Sequence, residues 1–339
     1  MVEISGNYDE LPEMIKGFLK EKGNIFFQKE YETYAQIRKE QLVYVYDDNF
    51  VIPVKNRKAF FFQFGLFLSE PLCLRGEALP NTKKFLNDAA ETLAEIYHLQ
   101  WLYAPASATF SDFPDGSKVI PWGNYILDLE NREEETLLMG MHSKHRNAVR
   151  RAEKNKVFVK QGATELLEDY LSLDRETWER SRQSSSGKEY YLQILKAMPE
   201  NTRIFIAYKE EVPQAGALIF YNQVMGYYMY GATKNAPEAG AANLLQWEVI
   251  RFLKEYGTRQ YSFVGCRIKE EPDSKYHGIQ RFKERFGGKL QEGYLFRKEI
   301  RPGMYRLFCL AMQMRSENKW KRYQDAIDEE IHKWKDLQE

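Results

Sequence analysis

The sequence predicts a mixed α/β or α+β protein of two similar domains, because strand-length apolar runs alternate with helical patterns and the same order of elements occurs twice. Its 339 residues suffice for two domains of ordinary size. In the first half, Gln41 to Tyr46 and Phe50 to Val54 flank Asp47-Asp48-Asn49, a hairpin signal. Ala59 to Leu68 reads as one further strand, rich in phenylalanine. Phe85, Leu86, Ala89, Ala90, Leu93 and Tyr97 then recur at helical spacing, and Leu99 to Tyr103 and Asn124 to Leu129 read as strands. The second half repeats this order. Arg203 to Tyr208 and Ala215 to Tyr221 flank a polar turn, and Gly226 to Tyr230 is a third strand. A helix from about Asn243 to Tyr256 follows, with Gly257 at a natural stop, and Gln260 to Val264 is the strand beyond it.

The boundary between the halves falls near residues 130–160. The expected division is 1–145, 146–300 and a helical tail, 301–339. Arg132 to Lys156 reads as one helix at the junction, with Glu133, Glu134 and Glu135 at its start and six basic residues in its later part, which complements a helix dipole. In the tail, Arg306 to Met314 is apolar, and Lys319 to Leu337 is charged with spaced Trp320, Tyr323, Ile327, Ile331 and Trp334.

Composition narrows the function classes. The 49 basic and 49 acidic side chains cancel, which argues against coating nucleic acid, and no DNA partner is expected. Cys73, Cys266 and Cys309 are scattered and odd in number, so neither a disulfide framework nor a zinc ribbon is suggested; reduced thiols fit a cytoplasmic protein. The N-terminal residues are acidic where a signal peptide is basic and apolar. The most apolar stretch, Ala59 to Leu68, is too short to span a membrane.

Four segments in order resemble the FemABX family: HSKHRNAVRRAEKNKV, GALIFYNQVMGYYMYGAT, ANLLQWEVIRFLKEYGTRQYSFVGC and GIQRFKERFGGKL. With the N-terminal IFFQKEYETYAQI they cover most of the chain, and RFKERFGG is the most specific. The resemblance implies two tandem GNAT-like folds, each a mixed sheet flanked by helices. It also implies transfer of an amino acid from aminoacyl-tRNA to an amine of a peptidoglycan precursor, with no tightly bound cofactor. A lipid-linked acceptor would bring peripheral membrane contact. This chain departs from the family at Ser262, which replaces the aspartate of its YDFGG strand, and at Val264-Gly265-Cys266. Ser186 stands where some members carry a phosphate-binding arginine, with Lys188 or Arg182 as substitutes. Thr164 to Met198 has room for two ordinary helices, so the long coiled-coil arm of some members is not expected.

Amine attack on an ester or thioester needs a neutral amine, near-attack geometry and a donor for the developing oxyanion. No GxSxG motif or cysteine–histidine neighbour supplies a nucleophile, and none is required. Lys283, in the family's FK position, is the candidate catalytic residue; the alternative is a solvated charge on a helix that also carries Arg281, Glu284 and Arg285. Phe282 and Phe286 are read as core. Tyr190, Tyr230, Lys188, Asn243, Arg146 and Arg285 are the candidate substrate contacts, though strand tyrosines often only pack. The basic run from His142 to Lys156 suits tRNA phosphates or a solvated helix face, and His142 with His145 lacks the further ligands of a metal site.

An acyl-CoA donor stays open as an alternative. Gly240 and Ala242 are spaced for a pyrophosphate-binding turn, against which stand Pro237 and Glu238. A non-catalytic binding module derived from such an enzyme is the third reading.

Overall fold

The computed structural model describes residues 2–75, 81–181, 185–268, 274–315 and 325–336; Arg182, Lys319, Trp320 and Tyr323 lie outside them. Among the described residues thirteen strands form one mixed sheet. In chain order they are β1 (Glu3–Ser5), β2 (Gln41–Tyr46), β3 (Phe50–Ala59), β4 (Phe62–Phe67), β5 (Leu72–Cys73), β6 (Trp101–Tyr103), β7 (Lys118–Asp128), β8 (Phe158–Gly162), β9 (Thr202–Lys209), β10 (Val212–Tyr221), β11 (Met225–Thr233), β12 (Gln260–Arg267) and β13 (Lys289–Glu299). The helices are α1 (Glu13–Lys22), α2 (Lys29–Ile37), α3 (Thr82–Tyr97), α4 (Glu134–Gly140), α5 (Ser143–Lys154), α6 (Leu167–Arg180), α7 (Lys188–Ala197), α8 (Ala241–Tyr256), α9 (Lys275–Glu284), α10 (Pro302–Arg315) and α11 (Ala326–Asp336).

The strand order is β1-β2-β3-β4-β6-β13-β7-β12-β11-β10-β9-β8, with β5 paired to β3. Only β4–β6 and β11–β12 are parallel. Each of these pairs is bridged by a helix, α3 in the first half and α8 in the second, as a parallel connection requires. The repeated order of elements in the sequence is therefore a repeated strand–helix–strand unit. The halves are sewn together by β13, which pairs with β7 from Lys289↔Ile126 to Arg297↔Lys118 and with β6 on its other side. β7 also pairs with β12, so the sheet has no edge at the junction.

Two local expectations fail. Ala59 to Leu68 is not one strand: β3 ends at Ala59, Phe60 turns the chain at φ 58°, and β4 starts at Phe62. A phenylalanine in the left-handed region gives no turn signal, because glycine, asparagine and aspartate are the usual occupants. Arg132 to Lys156 is two helices rather than one. The chain breaks at Met141-His142, where the His142 ring accepts the Lys144 N–H and caps α5. Between α6 and α7 there is no coiled-coil arm among the described residues.

One face of the sheet carries a core shared by both halves, in which α1 and α2 meet α6, α7 and β11 through Ile15, Leu19, Phe26, Tyr31, Tyr170, Tyr191 and Tyr227. Separate cores pack α3 against the first half and α5 and α8 against the second. The C-terminal helices are pinned by Arg297 of β13, which is 1% exposed. Its guanidinium bonds Glu299 and Asp328 at 2.9 Å each, also pairs with Asp325, and lies 3.9 Å from the Tyr305 ring centre. Removing one partner of a buried ionic cluster leaves the others desolvated and uncompensated. Arg297→Met is expected to lower stability by about 3–5 kcal/mol in denaturant titrations. It should also expose α11 to proteolysis before global unfolding; wild-type stability and resistance would refute this role.

Candidate functional site

The second parallel pair opens part-way along its length. β11 and β12 are in register at Met225↔Gln260, Gly226↔Tyr261 and Tyr227↔Ser262, and then diverge. Both strands are irregular where they part. Met229 has no register partner between Leu218↔Tyr230 and Ile219↔Tyr228. On β12 the pairing with β7 shifts between Ser262 and Gly265, with Val264 at φ 53°. That conformation is costly for a β-branched residue, so the surrounding structure must enforce it.

Glycine is required at 265 by packing. A Cβ there would lie 1.7 Å from the Ala106 carbonyl oxygen and 2.3 Å from the Trp122 indole nitrogen. Its register partner Asn124 is buried and exchanges hydrogen bonds of 2.8 and 3.0 Å with Ser262. The position where the family resemblance expects an aspartate is thus a neutral, satisfied pair.

Lys283 reaches this distortion from α9. Its Nζ donates to the carbonyls of Val264 (3.0 Å) and Gly265 (2.8 Å), and the residue is 6% exposed. Among the described residues no carboxylate pairs with it. Burial lowers its pKa from 10.5 to about 8, opposed by the nearby Cys266 thiol. An ammonium has three donors, and these carbonyls engage two. Lys283 is therefore not a solvated helix charge.

The helix is fixed by Ser274, whose side chain caps it, and by Phe286, which stacks on Phe263 and meets the His145 ring edge-on. His145 lies 3.0 Å from the Phe282 carbonyl through Nε2, and burial lowers its pKa to about 4, so it is neutral and donates. His142 caps α5 instead, and no metal-binding group of three side chains occurs among the described residues.

A tyrosine-lined seam runs where the halves meet. The hydroxyls of Tyr190 on α7 and Tyr230 on β11 are 2.5 Å apart. The Arg38 guanidinium from the first half lies 4.9 Å from the Tyr190 ring centre and donates to Gln193 at 3.3 Å. Asp174 of α6, 2% exposed, anchors α7 by accepting from Tyr191 (3.0 Å), and it also accepts from Trp178 of its own helix (2.9 Å). Nearby, Glu40 pairs with both Lys55 (2.8 Å) and Arg57 (3.0 Å). Lys55 and Arg57 thus share one carboxylate, with Arg38 close enough to Lys55 to oppose its charge, a composition suited to phosphate. Arg38, Lys55 and Arg57 were not grouped from the sequence, because it is the β2–β3 register that brings residues 38–40 beside Lys55 and Arg57; the basic alternation in Lys55-Asn56-Arg57-Lys58 was the available signal.

The remaining candidates are scattered. Lys188 pairs with Glu168 at the exposed start of α7. Arg146 donates to the carbonyls of Met139 (3.0 Å) and Met141, closing the end of α4. Asn243 is half-buried in the first turn of α8, and Arg285 ends α9, its carbonyl accepting from the His142 N–H. The turn before α8 is pressed against α5: a Cβ on Gly240 would lie 2.2 Å from the Ala148 carbonyl oxygen.

Among the cavities, one of about 470 Å³ near α4 and α8 is lined by opposite charges that pair with each other, such as Arg251 with Glu134 and Glu248. Another, of about 260 Å³, is lined by both halves and includes Asn24, Glu70, Asn124 and Tyr227. Burial raises the Glu70 carboxyl to about 7 against the lowering effect of its hydrogen bonds from Ser111. Sequence reasoning had no signal for Glu70.

Comparison with known proteins agrees with this architecture. A crystal structure of FemX superposes with a TM-score of 0.63 at 16% identity, covering 90% of this chain and 99% of that one. L-PGS from Bacillus licheniformis superposes with a TM-score of 0.53 at 17% identity, covering 91% and 98%. Among curated proteins, the lipid II:glycine glycyltransferase of Staphylococcus haemolyticus is 33% identical over 79 residues, 23% of this chain and 19% of that protein. Its Staphylococcus aureus counterpart is 30% identical over 84 residues, 24% and 20%. The matched region is thus about a fifth of each relative's length. The FemAB family model matches residues 110–210 and 206–313, more than half of the chain, which therefore belongs to the FemAB family.

Proposed function

We propose that the protein is a cytoplasmic N-acyltransferase that moves an aminoacyl group from aminoacyl-tRNA to an amine of a peptidoglycan precursor. The observation that carries this reading is the buried Lys283 ammonium, held by two carbonyls where β11 and β12 separate. The staphylococcal relatives that carry the glycyltransferase name support the substrate class. The donor assignment draws support from the turn before α8, where the Ala241 N–H is already bonded to the Glu238 carbonyl at 3.0 Å and is not free for a CoA pyrophosphate.

In this reaction the neutral amine attacks the ester carbonyl carbon and a C–N bond forms. The carbonyl oxygen takes the negative charge and accepts the third N–H of Lys283. The intermediate then collapses, the bond from carbon to the ribose oxygen breaks, and the proton lost by the amine ends on that oxygen. No covalent enzyme intermediate is needed. The precursor's phosphate and sugar lie along the seam, against Arg38, Lys55 and Arg57 and the Tyr190–Tyr230 pair. The division into 1–145, 146–300 and 301–339 belongs to the same proposal, with the acceptor groove between the first two and β13 lent across it.

Incubation with charged tRNA and lipid-linked precursor should extend the peptide. Lys283→Met should reduce turnover by about 100-fold or more, while stability at pH 7 holds or rises because a desolvated cation is removed. Full activity in that variant would eliminate the proposed mechanism.

The pH dependence has a defined sign. Activity should fall as the pH rises through about 8, where Lys283 loses its proton. Stability should instead rise between about 8 and 10.5, since the unfolded chain binds this proton more tightly across that window. Matching pH slopes in wild type and Lys283→Met, measured by denaturant titration, would count against the buried ammonium.

A further inference from the structure

The outer face of α10 has the wrong composition for water. A surface helix ordinarily turns charged and polar residues outward. Here Leu307, Leu310 and Met314, spaced along one stripe, are 44%, 57% and 74% exposed. The opposite side of α10 is already satisfied: Tyr305 is buried, and Phe308 meets Phe62 and Trp101.

The β3–β4 hairpin packs against α10 through this cluster, and its tip adds Phe60 and Phe61, 68% and 59% exposed. Phe60 also has positive φ, so the tip combines an unfavourable backbone with water-exposed aromatic surface. Exposed Lys58, Arg301 and Arg306 flank the apolar side chains, and neither α10 nor the two hairpin strands contains an acidic residue.

We infer that the β3–β4 tip and the outer face of α10 form a single docking surface for an anionic membrane. Apolar side chains enter the acyl boundary while arginine and lysine stay among the headgroups. The helix is about 21 Å long at 1.5 Å per residue, short of the roughly 30 Å hydrocarbon thickness, so it lies in the interface and does not cross. No helix among the described residues is long and apolar enough to cross.

A second copy of the chain fits the surface poorly, because a two-fold contact would bring the exposed Lys58, Arg301 and Arg306 of one copy against those of the other, and the acidic Glu299 and Asp328 beside Arg306 are already engaged by Arg297. Docking would also have a geometric consequence. Arg57, on β3, lies 5.6 Å from the ring centre of Phe64 in the same aromatic cluster and belongs to the cation-lined seam. Anchored this way, the seam would open beside the headgroup layer. The docking surface itself stands independently of the proposed chemistry.

The test is co-sedimentation of the full chain with vesicles of phosphatidylcholine alone and of phosphatidylcholine mixed with phosphatidylglycerol, neither holding any precursor. Binding to the anionic vesicles is expected, weakening with added salt and with removal of phosphatidylglycerol. The triple substitution Phe61→Ser, Leu310→Ser and Met314→Ser should reduce partitioning by about tenfold or more with unchanged melting. Arg306→Glu should weaken binding to the anionic vesicles alone. The inference is overturned by absence of binding, by equal binding of the triple variant, or by a dimer that the same substitutions dissolve. Acyl transfer is not read in this assay, so failure of one leaves the other standing.

Discussion

A lysine ammonium removed from water without a carboxylate partner is unfavourable, and the fold spends much of its irregularity on holding one. The carbonyls that receive Lys283 are available because β12 breaks register with β7 at Ser262–Gly265 and Val264 adopts a left-handed backbone. That distortion requires a glycine at 265 to clear Ala106, and a helix locked by Phe286 against Phe263 and His145. Each feature is costly or restrictive alone. Together they leave positive charge in a dry place where two parallel strands separate, the condition under which an electrostatic contact has most effect on a developing anion.

The sheet explains why this site lies at a junction. β13 comes from the end of the second half and is inserted between β6 and β7 of the first, so movement of one half against the other must deform a nine-residue ladder. The tyrosine seam, by contrast, joins the halves by side chains: Arg38 to Tyr190 and Gln193, and Asn222 to the Gly23 carbonyl. The halves are thus held twice, by a continuous sheet and by side-chain contacts across the seam.

Local signals in the sequence were informative wherever structure is set locally. The Asp47-Asp48-Asn49 hairpin, the periodic helices α3 and α8 and the stop at Gly257 could be read directly, since turn residues and 3.6-residue spacing act within a few positions. The turn at Phe60 and the break before α5 could not, because tertiary packing overrides weak local preference there. Lys283 and the Tyr190–Tyr230 pair could be singled out through motif context. Lys188, read as a substitute for the family's phosphate-binding arginine, and Arg146, on the basic helix, bond partners within the protein. Arg38, Lys55 and Arg57 were lost among 49 basic residues, since the alternation at 55–58 is a weak signal until the β2–β3 register sets Glu40 beside it.

The central claim concerns the charge and burial of one amine, and it can be observed without substrate. Titration of lysine side-chain carbons by NMR, with the Lys283 resonance assigned by its loss in the methionine variant, should give a midpoint near 8. A midpoint near the ordinary 10.5 would mean a solvated ammonium, contradicting the account of the site.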